Sequence, residues 1–279
     1  MKIEEAITIF GYHQRSNQKT RTIQSYRPLL QNIQDRFAGR SFDSIGPDEI
    51  YRFLEAMTGG QAKSTRRLRF AQFKAFHNFL IEKADLNMRN PCDAPILAKA
   101  FKAPKPVARR ILDRETVEEL IYNAENLRDR LILELQARCG LRIGESLKIT
   151  VNDVSDRKLI LHESKSGKES EVAFMPEQIA KRLHDYIQQE NLSPEDRLFP
   201  ICYSTARAAI RRIGKRLNVV LTPHDLRRYS ATHTSRNGIP LEIVSKVILR
   251  HQDLKTTQAY LGRISEVEGI RWMDILHGR

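Results

Sequence analysis

Leu249-Arg250-His251-Gln252-Asp253-Leu254-Lys255-Thr256-Thr257-Gln258-Ala259-Tyr260 sets a histidine and a tyrosine nine residues apart, around a turn and a short helix expected over 256–261. A tyrosine near a chain end is ordinarily a packing residue, so this stretch gains meaning from what precedes it. A helix is expected over 240–250, and before it another over 223–238, opened by Thr222-Pro223. His224 and Arg227 stand three apart at its start and share one face. A titratable ring and a cation at a helix N-terminus can grip an anion, although a capping histidine beside a surface arginine has the same spacing.

Further upstream stands Gly140-Leu141-Arg142-Ile143-Gly144-Glu145. Residues 133–139 finish a helix, and Gly140 fits the position after its end, which favours a residue able to take positive φ. Arg142 opens the next helix, with Glu145 one turn on and on its face. An arginine held in this way offers phosphate a fixed fork of donors, while an ordinary intrahelical ion pair is the plain alternative. Between these places, apolar alternation over 159–161 and 171–174 flanks Ser164-Lys165-Ser166-Gly167-Lys168, the pattern of a β-hairpin with a four- or five-residue loop. Helices are expected over 176–190 and 205–217, and a last helical stretch ends near Leu276 with Trp272, Met273 and Ile275.

The N-terminal part reads as four helices, over 2–12, 20–37, from Pro47 to the Gly59-Gly60 stop, and 64–83. In the fourth, Phe73, Phe76 and Leu80 make a core stripe, and Lys63, Arg67 and Lys74 lie together on another side. That row reads as a solvated face or as a face for phosphates. From 90 to 110, Pro91, Pro95, Pro104 and Pro106 alternate with Lys99, Lys102, Lys105, Arg109 and Arg110, which suits a stiff basic linker.

Composition limits the function classes. The 279 residues carry a net charge of +13, spread as 16 Lys/Arg against 10 Asp/Glu over residues 1–100 and 31 against 24 beyond. Both halves therefore favour a polyanionic partner. Cys92, Cys139 and Cys202 are far apart, which argues against a disulfide framework or a structural zinc site. The acidic start Met1-Lys2-Ile3-Glu4-Glu5 is unlike a signal peptide, and no apolar run suits a membrane span. A cytoplasmic, nucleoid-associated protein with no membrane partner is expected.

Taken together, the segments resemble the tyrosine recombinase (phage integrase) family. Its signature is an arginine, a hairpin lysine, His-x-x-Arg, a second histidine or tryptophan, and a nucleophilic tyrosine. The elements occur here in that order, with Gly140-Leu141-Arg142, Leu198-Phe199-Pro200, His224-Asp225-Leu226-Arg227-Arg228, Ala231-Thr232-His233 and residues 253–260 matching family patterns over roughly 110–262. One departure is Arg250, where the family usually has glycine before the second histidine. The resemblance implies a mainly α fold with a small antiparallel β-sheet, like the two-domain Xer recombinases. A four-helix core-binding, DNA-binding domain would occupy 1–92, a basic proline-containing linker 93–110, and an α+β catalytic domain with a C-terminal tail helix 111–279.

It further implies a site-specific recombinase that cuts and rejoins DNA through a 3′-phosphotyrosyl bond to Tyr260, with no metal, ATP or other cofactor. Arg142 and Arg227 would clamp the phosphate, His251 would hydrogen-bond to it, and His224 would assist proton movement. Lys165 would act as general acid, with Lys168 its competitor, and Glu145 would support Arg142. Expected DNA contacts are Lys63, Arg67, Lys74, Lys102 and Lys105. Expected partners are a double-stranded recombination site, accessory recombination proteins and further copies of the chain, free as monomer or weak dimer and tetrameric on two sites. A type IB topoisomerase-like nicking-closing enzyme shares this chemistry, and a DNA-binding protein that has lost catalysis is the rival from another class.

Overall fold

A computed structural model of the chain describes residues 1–104, 111–162, 170–261, 270 and 273–275. Two compact units result, Met1–Val107 and Ala108–Arg279. Proline starts, glycine stops and apolar periodicity shape the first into α1 (Ile3–Asn17), α2 (Thr20–Phe37), α3 (Pro47–Thr58), α4 (Lys63–Lys83) and α5 (Pro95–Ala100). α1 outruns its expected end at Tyr12, because Phe10 and Gln14, one turn apart, are both buried. The core is largely aromatic, with Phe10, Phe37, Phe42, Phe53, Phe70, Phe73, Phe76 and Phe101 in one cluster. Each such side chain contributes about 1.5–3 kcal/mol through burial.

The stretch expected to begin a linker at 93 does not do so. Pro95 opens α5 at its first helical position, Leu97 and Phe101 enter the core, and the Phe101 ring stacks on Phe70 at 5.4 Å. Prolines that read as linker punctuation here start short helices that an apolar residue then anchors. Among the described residues no helix is long and apolar enough to cross a membrane.

The second unit runs α6 (Arg114–Tyr122), α7 (Leu127–Ala137), α8 (Ile143–Ser146), β1 (Val154–Ser155), β2 (Lys158–His162), β3 (Ser170–Phe174), α9 (Glu177–Gln189), α10 (Tyr203–Arg216), α11 (Pro223–Arg236), α12 (Leu241–Ile243) and α13 (Leu254–Leu261). It is mainly helical with a small antiparallel sheet in the order β1-β2-β3. Residues 131–137 of α7 are all buried, so this helix is central, with α6, α9, α10 and α11 packed on it. Its buried Glu134 is compensated by Arg182, whose guanidinium donates to the carboxylate at 2.5 and 2.6 Å. β2 and β3 pair from Lys158↔Phe174 to His162↔Ser170, as the alternation predicts. Residues 163–169 between them lie outside the described residues, and with them Lys165 and Lys168.

The single helix expected over 240–250 breaks in two. α12 passes into a π-helical turn, Val244–Ile248, where the Leu249 N–H donates to the Val244 carbonyl at 2.9 Å. Arg250 then takes φ 52°, in the left-handed region. A widened turn followed by a left-handed residue re-aims the chain, so that Leu249, Arg250 and His251 are all buried.

Candidate active site

Three segments far apart in sequence meet in the second unit. The first leaves α7 through Gly140, whose φ is 63°. A Cβ there would lie 2.8 Å from the Ile248 carbonyl oxygen, so glycine is required both for the turn and for the approach of the second segment. Arg142 follows at the cap of α8. Glu145, three residues on, accepts from the Arg142 backbone N–H at 2.8 Å and from its guanidinium at 2.5 Å. That closes a loop which fixes the arginine's direction. Arg142 is a quarter exposed and Glu145 12% exposed.

α11 supplies Arg227. Thr222 and Asp225 set the helix start: the Asp225 carboxylate accepts from the Thr222 N–H at 2.9 Å and from its hydroxyl at 2.6 Å. Arg227 is 1% exposed. Its guanidinium donates to the Gly140 and Leu249 carbonyls, lies 3.3 Å from His251 Nε2 and stands 4.0 Å from Glu145. One buried cation thus ties the Gly140 turn to the π-helical turn. His224, one turn earlier on α11, is exposed.

The third segment holds Arg250 and His251. Arg250 donates to Glu145 at 3.0 Å and to the Ile248 carbonyl at 2.7 Å. Burial pushes the Glu145 carboxyl toward its neutral form. Arg250, then Arg142 with its N–H, and Arg227 outweigh that and hold it below the usual value of 4.5. His251 is pushed down to about 4, by burial first and then by Arg227, Arg142 and Arg250, with Glu145 opposing. At neutral pH the ring is uncharged. Its Nδ1 lies 2.9 Å from the Thr257 hydroxyl, which donates its single proton to Ser245 Oγ at 2.9 Å. The hydroxyl therefore accepts from Nδ1–H, and Nε2 presents a lone pair toward Arg227.

Thr257 is fully buried and sits on α13, the helix that carries Tyr260. The backbone of Tyr260 lies within this helix, while its side chain lies outside the described residues. Replacing Thr257 by valine strands Ser245 Oγ and His251 Nδ1, so the unfolding free energy of this unit is expected to fall by about 1–3 kcal/mol. Urea denaturation checks this, with Thr257→Ser expected to stay close to wild type.

The structure thus brings Arg142, Glu145, Arg227 and His251 together and adds Arg250. On α4 the continuous helix keeps the expected basic row of Lys63, Arg67 and Lys74 on one side, with differing surroundings. Lys63 is exposed, but Arg67 lies over the Phe70 ring at 5.5 Å and Lys74 is paired with Asp93. Lys102 is exposed and Lys105 lies outside the described residues. Sequence reading also passed over α10. Arg207, Arg211 and Lys215 are exposed along it at four-residue steps, while Arg212 and Arg216 turn back to Glu125. The i, i+4, i+8 spacing was the available signal.

Among the described residues, three guanidiniums stand against two carboxylates, Glu145 and the more distant Glu171, which leaves surplus positive charge in a poorly solvated place, an arrangement that favours an anion. The sequence pattern of the phage integrase family matches residues 110–266, more than half of the chain and all of these segments. The chain belongs to the phage integrase family. The family's SAM-like N-terminal domain matches residues 13–84, so both units of this integrase-family chain have counterparts there. Tyrosine recombinase XerA of Saccharolobus solfataricus is 31% identical over 167 residues, covering 58% of this chain and 56% of the relative, little more than half its length. The tyrosine recombinase of Thermosipho africanus is 26% identical over 280 residues, covering 93% of this chain and 94% of the relative. A lambda integrase tetramer bound to a Holliday junction shares the fold, with a TM-score of 0.75 and 16% identity over 95% of this chain and 80% of that one.

Proposed function

We propose that the chain is a site-specific DNA recombinase that cuts and rejoins strands through a 3′-phosphotyrosyl intermediate at Tyr260. The observation that carries this is the meeting of Arg142, Arg227 and His251 around surplus positive charge, with the tyrosine-bearing α13 bonded to that cluster through Thr257. A phosphodiester entering there receives the forked donors of Arg142 and Arg227 on its non-bridging oxygens. Burial first, and then the three arginines, hold His251 neutral, and the negative charge of the phosphate works against both. The ring then takes a proton on Nε2 and donates it toward the phosphate.

The Tyr260 hydroxyl loses its proton with the help of His224 and attacks phosphorus. The bond to the 5′-oxygen breaks, and that oxygen leaves with a proton from Lys165. The phosphotyrosine keeps the bond energy. A 5′-hydroxyl from the partner strand later displaces tyrosine by the reverse steps, so strand exchange needs no ATP.

The basic excess of both units suits a duplex partner. In this reading the first unit is the core-binding domain, with Lys63, Arg67 and Lys102 toward phosphates, and the row on α10 lies along the DNA. Met273 and Ile275 are exposed near the C-terminus, at 58% and 56%. Such apolar surface fits docking on a neighbouring copy, in keeping with the tetramer formed by the lambda integrase relative.

The test is incubation with nicked duplexes built from the DNA flanking the gene, in which cleavage releases a short fragment and traps the covalent complex. Wild type is expected to form it and Tyr260→Phe to form none. Equal trapping by both would overturn the assignment, and robust relaxation of plasmids lacking any site would favour a topoisomerase instead.

A further inference from the structure

Arg250 combines two costs in one residue. Its backbone is left-handed, with φ 52°, a conformation glycine adopts freely and other residues resist. Its cationic side chain is only 3% exposed, and burying a charge is unfavourable unless it is paired and hydrogen-bonded. The guanidinium meets that demand with the Ile248 carbonyl at 2.7 Å, the Gly140 carbonyl at 3.3 Å and Glu145 at 3.0 Å. Its Nε also faces Glu171 of β3 at 3.8 Å. Coulomb attraction falls with distance, so the nearer, hydrogen-bonded Glu145 is its main acidic partner.

Glu145 faces Arg142, Arg250 and Arg227 at 2.5, 3.0 and 4.0 Å. We infer that Arg250 is a positioning residue of the phosphate clamp, taking up the charge of Glu145 so that Arg142 and Arg227 keep theirs for a phosphate. This rests on the reading of those two arginines as phosphate ligands. Without Arg250, the whole carboxylate charge falls on the clamp. With it, the clamp meets a phosphate carrying an excess.

The five-coordinate phosphorus of strand cleavage bears two negative charges where the resting diester bears one. The extra positive charge therefore favours the transition state over the bound substrate. Arg250 acts on the cleavage rate, not on DNA affinity.

The experiment measures single-turnover cleavage by the full chain on the nicked flanking-DNA duplex, with DNA affinity measured in parallel. Arg250→Gly, which the left-handed turn accepts, is expected to slow cleavage about tenfold or more with affinity nearly unchanged. On a duplex carrying a neutral methylphosphonate at the scissile position, whose transition state bears one charge fewer, the slowing is expected to shrink several-fold. Glu145→Gln removes the charge that Arg250 offsets but also one acceptor of the loop on Arg142, so it serves as a second background, in which Arg250→Gly is expected to slow cleavage several-fold less than it does in wild type. Arg250→Lys retains the cation and provides a second route should the glycine variant fold poorly; it is expected to cleave faster than Arg250→Gln.

Equal slowing on both substrates, an effect of Arg250→Gly as large in the Glu145→Gln background as in wild type, or lysine and glutamine variants of equal rate would each overturn the inference. Normal wild-type cleavage with an unaffected glycine variant overturns this inference alone. Failure of wild type to cleave any flanking duplex overturns the reading beneath it.

Discussion

Arg142→Ala is expected to slow strand cleavage by about a thousandfold while leaving DNA affinity within a few-fold of wild type. Arg142 is the most exposed of the three clustered arginines, a quarter accessible against 1% for Arg227 and 3% for Arg250. Its loss therefore takes least from the core. The Glu145 loop fixes its direction before any DNA arrives, and donors fixed in advance need no reorganisation as charge develops on the phosphate. Affinity rests on many phosphate contacts spread over a basic chain, so removing one cation changes it little. Single-turnover rates on the nicked duplex, beside gel-shift titrations, check this. An affinity loss as large as the rate loss would mean that Arg142 binds the ground state and transition state alike.

Gly140→Ala carries the largest expected effect on stability, a loss of about 3 kcal/mol or more in the unit spanning 108–279. Two costs add. Alanine resists φ 63° by roughly 1–2 kcal/mol. Its Cβ also comes within 2.8 Å of the Ile248 carbonyl oxygen and 2.9 Å of Ile248 Cγ2, a forced overlap of the kind that costs about 1–3 kcal/mol. Relief would push the π-helical turn away and pull the Gly140 and Leu249 carbonyls out of register with Arg227. Gly144→Ala is the control, since an added Cβ there meets nothing within 4 Å. It is expected to change stability by less than about 1 kcal/mol. Urea denaturation of both variants decides the matter, and equal midpoints would contradict the packing described here.

Much of the fold was legible because local chemistry dictated it. The α3 start at Pro47, the α11 start at Thr222-Pro223 and the β2–β3 alternation all follow from residues next to one another in sequence. The π-helical turn was not legible. Its cause is the demand that Leu249, Arg250 and His251 reach Gly140, Arg227 and Glu145, which is tertiary. β1, two residues long, carries no periodicity to read. In sequence α5 has the look of a linker because prolines surround it, and the burial of Leu97 and Phe101 overrides them.

The candidate site residues are legible through family spacing, but their partners are not. Nothing in Thr257 or Ser245 as letters announces a hydroxyl chain fixing the tautomer of His251. Arg250 was visible as a departure where glycine is usual, while the acceptors that hold its guanidinium lie 105 and 110 residues away in sequence. Lys74 shows the converse. Its place in a basic row was plain, but its pairing with Asp93 depends on how the chain folds back after α4.

The most direct measurement is a crystal structure of the protein on a nicked duplex with vanadate joined to the tyrosine and to the 5′-oxygen, standing in for five-coordinate phosphorus. The Tyr260 oxygen is expected on the vanadium, with donors from Arg142, Arg227 and His251 Nε2 each about 2.7–3.2 Å from its equatorial oxygens. A vanadate bound with Arg227 or His251 facing elsewhere, or a different residue on the metal, would contradict the account.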